Sequence, residues 1–132
     1  MTPRIVTAAI IIEAPNVLIT RRAPTEKLAG YWEFPGGKLE YGETLQKCLE
    51  RELFEELGIQ TAVSAVLAES IYHYDGGSIR LIGLETKILE GDIQLTVHDA
   101  AEWVHLEKLL ELKLAPADIP IAEIIIQRIQ SV

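Results

Sequence analysis

GGKLEYGETLQKCLERELFEELGI, residues 36–59, holds a glycine-rich entry, a helical pattern and a helix stop. The turn Phe34-Pro35-Gly36-Gly37 lets the backbone bend sharply and approach a ligand closely. Thr44 opens a helical pattern, and Gly58 sits where a helix C-cap glycine belongs. At about 100° per residue, Leu45, Leu49, Leu53 and Leu57 make one apolar stripe, with Cys48 beside it. Glu52 and Glu56 fall within or beside that stripe, and Glu55 is their neighbour at helical spacing. Carboxylates crowded together and partly out of water repel one another and raise one another's pKa. A hard divalent cation removes the conflict, because Mg²⁺ takes oxygen ligands and shares them with substrate phosphates. The ordinary meaning of such a run is a solvated acidic face, and the helix alone leaves both readings open.

The wider spacing decides between them. Gly37, Glu43, Arg51, Glu52, Leu53, Glu55, Glu56, Gly58 and Ile59 are nine defined residues within 23 positions, and their spacing resembles the signature of the Nudix hydrolase superfamily. The resemblance implies a single Nudix hydrolase domain over residues 1–132. Its expected fold is an α/β/α sandwich with a mixed β-sheet between helices. It implies Mg²⁺ as cofactor, with Mn²⁺ a substitute, held by Glu52, Glu55 and Glu56 and by the Gly36 carbonyl. Arg51 is expected to orient the glutamates; four residues from Glu55, it is within ion-pair reach on a helix. Glu43 matches a ligand acting through water, and its bland reading is a carboxylate at the positive end of the helix dipole.

One domain suits 132 residues. With 48% apolar residues the chain can build a core without disulfides, and the lone Cys48 reads as a buried thiol in a reducing cytosol. Met1-Thr2-Pro3-Arg4 leads into strand-like sequence and not into a signal peptide, and no apolar run spans a membrane, so a cytoplasmic protein is expected. The net charge of −8 argues against duplex nucleic acid as a partner. It would also repel a triphosphate, unless metal ions and local Arg or Lys residues invert the field at the site.

Residues 4–13 are β-branched and read as a strand buried on both faces; 17–20 form a second strand after the turn Ala14-Pro15-Asn16. Arg21 and Arg22 follow. The ordinary reading of a strand-end arginine is surface charge; Arg22 matches an arginine that contacts substrate phosphates in related enzymes, and bidentate geometry is the reason for that residue type. Residues 23–31 read as a loop able to close over a ligand. Tyr31-Trp32-Glu33-Phe34-Pro35-Gly36-Gly37 resembles the MutT-type branch, where Phe34 would pack beneath a base; its ordinary reading is a core aromatic.

Beyond the helix, strands are expected at 61–70, 71–74, 79–89, 93–97 and 101–105, with a hairpin at Asp75-Gly76-Gly77. Glu102 matches a late glutamate that helps bind metal or activate water in MutT-type enzymes; the ordinary reading of an isolated strand glutamate is plain exposure. His73, His98 and His105 lack ligand spacing and read as ordinary residues. A short helix at 106–112 precedes Leu114-Ala115-Pro116-Ala117-Asp118-Ile119-Pro120, which resembles the tail of cytidine-triphosphate pyrophosphohydrolases, where an Asp or Asn faces the base. Asp118 is also a good N-cap, with Pro120 in the first turn.

The function these resemblances imply is Mg²⁺-dependent hydrolysis of a nucleoside triphosphate to the monophosphate and pyrophosphate, by a monomer or homodimer. The general base would be Glu52 or Glu102. Cytidine nucleotides are favoured by the tail, and 8-oxo-dGTP, in nucleotide-pool sanitation, by residues 31–37. A regulatory module that binds nucleotide without turnover is the alternative of another class; it would be expected to lack one of Arg51, Glu52, Glu55 or Glu56.

Overall fold

The computed structural model describes residues 2–130. Met1, Ser131 and Val132, which the single-domain reading includes, lie outside the described residues. Seven strands run in the order β1 (Arg4–Ile10), β2 (Ile12–Glu13), β3 (Asn16–Arg22), β4 (Trp32–Glu33), β5 (Gln60–Tyr74), β6 (Gly77–Glu90) and β7 (His98–His105). Helix α1 (Leu45–Leu57) separates β4 from β5, and a 3₁₀ turn at Leu106–Glu111 leads to helix α2 (Asp118–Gln130). The expected mixed sheet is present as β1-β6-β5, with β1 parallel and β5 antiparallel to β6. A second, antiparallel sheet is built on β3, which pairs with β2, β4 and β7.

The chain passes from one sheet to the other at Ile11, so the single strand expected over 4–13 is two. Its apolar run is explained by alternation across a layer buried on both sides. Ala8 and Ile10 face one core with Val17, Ile19, Phe34, Ile121 and Ile125. Ala9 and Ile11 face the other with Leu18, Leu49, Leu53, Leu57 and Leu84. Helix α2 closes the first core and α1 the second, giving the α/β/α layering.

Helix α1 forms as its sequence dictates. The Thr44 hydroxyl accepts from the Lys47 N–H at 3.1 Å, and Gly58 takes the left-handed conformation at φ 70° while its N–H bonds the Phe54 carbonyl. Cys48, Leu49, Leu53 and Leu57 are the buried face. Each buried leucine contributes about 2 kcal/mol through removal of apolar surface from water.

Residues 93–97 differ from expectation. They form no strand, because α1 uses them. The Gln94 N–H bonds the Leu57 carbonyl and the Thr96 hydroxyl bonds the Glu56 carbonyl, both at 2.9 Å. The last carbonyls of a helix lack partners within it, and here a passing segment supplies them. A similar loan fixes the tail: Lys113 and Ala115 exchange backbone hydrogen bonds of 2.8 Å with Trp32, laying residues 113–115 along β4. No helix among the described residues is long and apolar enough to cross a membrane.

Candidate active site

The glycine turn is an extra, irregular strand on β1. Both the N–H and the hydroxyl of Thr7 donate to the Gly37 carbonyl, at 2.8 and 3.0 Å; the Ala9 N–H donates to Pro35 O at 2.7 Å, and the Leu39 N–H to Ile5 O at 3.0 Å. Carbonyls alternate along an extended chain, so the Gly36 carbonyl between those of Pro35 and Gly37 faces away from β1. Neither glycine has room for a side chain. A Cβ on Gly36 would strike the backbone carbonyl of Thr7, and one on Gly37 would strike the Glu52 carboxylate. The bare Cα of Gly37 is therefore the seat of Glu52.

Arg51 organises the acidic residues around that seat. Its guanidinium grips Glu43 with two bonds, Nε to Oε2 at 2.7 Å and Nη2 to Oε1 at 2.9 Å, and reaches Glu52 through Nη1 at 2.9 Å and Glu55 at 3.3 Å. Arg51 beside Glu43 holds that carboxyl down to about 2, and the same contact raises the arginine. Burial pushes Glu52 up, against the pull of Arg51. Glu56, one turn further on, has no such partner. Burial pushes its carboxyl up to about 7; Glu52 and Glu33 add to the rise, while His98 and Arg22 oppose it. Glu55 is exposed.

Among the described residues no three acidic, histidine or cysteine side chains converge as a ready chelate, and Arg51 is ion-paired with Glu52 and Glu55. The donor chemistry nevertheless fits a hard dication. It offers carboxylates and an outward-facing carbonyl, and the half-buried Glu56 has no ion-pair partner of the kind that Arg51 gives Glu52.

Beside this cluster lies a group that sequence reasoning missed. Glu33 on β4 accepts from Arg22 Nη1 at 3.1 and 3.2 Å and is bonded to His98 Nε2 at 2.9 Å. The His98 side chain is fully buried, and its Nδ1 has no protein partner. Arg22 also donates through Nε to the Lys27 carbonyl, which ties it to the loop of residues 23–31. A glutamate between two aromatic residues was the one local hint of Glu33; nothing near His98 in the sequence announced it. Arg21 is elsewhere, ion-paired with Asp99 at 2.7 Å and lying over Trp32.

The remaining candidates divide. Glu102 is exposed and sits opposite Ile19 in the β3–β7 register. Paired residues share a face, so Glu102 lies on the Ile19 face, whereas its neighbour Ala101 packs with the core that α1 closes. The charge it acts on is Arg21. The structure does not bring it to Glu52 and Glu56. Phe34 is 3% exposed within the core, so its ring is a packing residue and no platform for a base. Its backbone N–H donates to Asp118 Oδ2 at 2.9 Å. Asp118 is the first residue of α2, buried, with its carboxyl raised well above the usual range by burial and by Glu33. Next to it, the Ala117 carbonyl accepts from Ser70 at 2.7 Å. Ser70 is on the wall of a cleft of about 500 Å³ that Pro3, Ile5, Ile71 and Arg80 also line.

Comparison with known proteins gives a consistent result. The sequence profile of the NUDIX domain matches residues 2–124. The CTP pyrophosphohydrolase of Escherichia coli (strain K12) is 39% identical over 118 residues, 89% of this chain and 87% of that protein. The 8-oxo-dGTP diphosphatase of the same strain is 33% identical over 109 residues, 83% of this chain and 84% of that protein. The crystal structure of the MutT protein from Methanosarcina mazei Go1 superposes with a TM-score of 0.84 at 27% identity, covering 99% of this chain and 98% of that one.

Proposed function

This chain belongs to the NUDIX domain family, and we propose that it is a Mg²⁺-dependent enzyme that hydrolyses a nucleoside triphosphate to the monophosphate and pyrophosphate, with cytidine nucleotides preferred. The observation that carries the reaction is the Glu52 carboxylate seated against Gly37, with Glu56 one helical turn away. Glu52, Glu55, Glu56 and the Gly36 carbonyl would hold the ion. Bound there, Mg²⁺ supplies neutralisation of the polyphosphate charge and a Lewis acid at the reacting phosphoryl group.

The protein's own share is positioning and proton handling. Arg51 keeps Glu52 and Glu55 aimed at one place and is itself fixed by Glu43. Arg22, held by Glu33, offers guanidinium N–H groups to a phosphate. Glu52, raised by burial, is the general base for the attacking water. Glu102, on the other face of β7, is the weaker candidate for that task.

The cleft beside Ser70 would receive the nucleoside; the Ser70 hydroxyl bonds the carbonyl of Ala117, the residue before Asp118. With Oδ2 taken by the Phe34 N–H, Asp118 has Oδ1 for the base. Because its carboxyl is raised, Oδ1 can carry a proton and donate, or lose it and accept. Cytosine presents an acceptor beside an amino group, which suits both states. Identity to the CTP pyrophosphohydrolase supports this choice. Identity to the 8-oxo-dGTP diphosphatase supports a second reading, in which oxidised guanine triphosphate is the substrate and the role is nucleotide-pool sanitation. Turnover on CTP, dCTP, 5-methyl-dCTP and 8-oxo-dGTP, read as pyrophosphate release with Mg²⁺, tests both. Nucleotide binding without pyrophosphate release on any of them would leave a binding module in place of an enzyme.

A further inference from the structure

We infer that His98 is a positioning residue for the triphosphate: through its hydrogen bond to Glu33 it fixes the orientation of Arg22. The inference rests on the reading that Arg22 meets the phosphates, and it adds the device that aims that arginine.

The guanidinium has five N–H groups. One, on Nε, goes to the Lys27 carbonyl, and one on Nη1 is shared between the two oxygens of Glu33. On Nη2, Glu26 is 3.9 Å away, too far for a hydrogen bond. The two Nη2 hydrogens and the second on Nη1 are thus left in the planar fork that suits two phosphate oxygens. That fork points where Glu33 allows. Glu33 belongs to a two-residue strand, and its side chain would be free to rotate if Arg22 were its sole partner. His98 removes that freedom by bonding Oε2 from β7, which like β4 pairs with β3. The backbone of Glu33 is pinned as well, its carbonyl accepting from the Thr20 hydroxyl at 3.0 Å.

Burying an imidazole completely, with Nδ1 lacking a protein partner, costs stability that an apolar side chain of the same size would not. Packing alone does not account for His98. The hydrogen bond it makes is to Glu33, and Glu33 leads to Arg22. An arginine already held in its bound geometry loses less freedom when the substrate arrives, so the gain belongs in affinity more than in the chemical step.

The test is a cycle on the full chain. His98→Asn keeps an amide in the cavity but draws it back from Glu33; His98→Gln keeps a donor at the reach of Nε2. Folding is checked by near-UV circular dichroism. Affinity is measured calorimetrically with a non-hydrolysable CTP analogue and Mg²⁺, beside kcat and KM for CTP. The expectation for His98→Asn is about tenfold weaker binding and a matching rise in KM, with kcat within about threefold of wild type. His98→Gln should bind within about twofold of wild type. In a Glu33→Ala background, His98→Asn should add nothing, since it acts through a side chain already removed. Equal affinities for the Asn and Gln variants, or a full extra loss in the Glu33→Ala background, would overturn the positioning role. A wild type that binds the analogue but releases no pyrophosphate would overturn the reaction assigned above and leave the binding cycle intact.

Discussion

Arg51 binds Glu43 with both ends of its fork, at 2.7 and 2.9 Å, across eight residues of chain. The helix spacing that links Arg51 to Glu55 gives a longer contact of 3.3 Å. The residue before the helix, not the one within it, is the arginine's firm anchor, and this decides what Glu43 does.

Replacing Glu43 with Gln should free Arg51 to swing, loosening Glu52 and Glu55 together. The expected outcome is an increase of about three- to tenfold in the Mg²⁺ concentration for half-maximal activity, with kcat less affected. A Mg²⁺ titration of turnover reads it. The pair also sets an acid limit. Glu43 has a depressed pKa in the folded state, so its contribution is present above the usual carboxylate pKa and is lost as pH falls toward about 2.

Gly36 and Gly37 should fail differently when changed to Ala. The Gly36 Cβ meets backbone, which cannot step aside, so that variant should lose thermal stability, by about 2 kcal/mol or more. The Gly37 Cβ meets the end of a movable side chain, so that variant should fold but expel Glu52 from its seat. Melting curves with and without Mg²⁺ separate the two: the Gly37 variant should melt near wild type without metal and lose the metal-induced rise.

Glu56 links metal to protons. Its folded pKa of about 7 lies above its unfolded value, so the metal-free protein is favoured below the unfolded pKa and loses that advantage as pH rises through 7. Mg²⁺ needs the carboxylate form, so the rise in melting temperature on adding it should be larger at pH 8 than at pH 5.5. Glu56→Gln should flatten that difference, keep the fold and lower turnover by a factor on the order of 10² or more. Near-normal activity in this variant would count against the metal site.

Asp118→Ala removes the carboxyl that accepts from the Phe34 N–H as well as the group offered to the base. KM for the preferred nucleotide should rise by about tenfold or more, with a smaller change for nucleotides carrying other bases. Side-by-side kinetics on CTP, UTP and 8-oxo-dGTP measure the lost discrimination.

Local chemistry was legible in the sequence, and long-range register was not. Thr44, Gly58 and the leucine stripe specify α1 within one stretch of chain, and Glu52 and Glu56 come with it. The face that Glu102 takes depends on pairing with Ile19, more than eighty residues earlier, and no local pattern announces it. Glu33 and His98 meet only because β4 and β7 both reach the end of β3. Phe34 sits in the core because α2 packs there, and residues 93–97 leave the sheet because the end of α1 needs their donors.

Trp32 exchanges hydrogen bonds with residues 113 and 115, and the Phe34 N–H donates to Asp118. The approach to the glycine turn is therefore completed by a segment translated some eighty residues later. A nascent chain could have every acidic residue of the helix outside the ribosome and still be inert. Proteolytic trimming within 113–118 should silence the enzyme without touching a single glutamate.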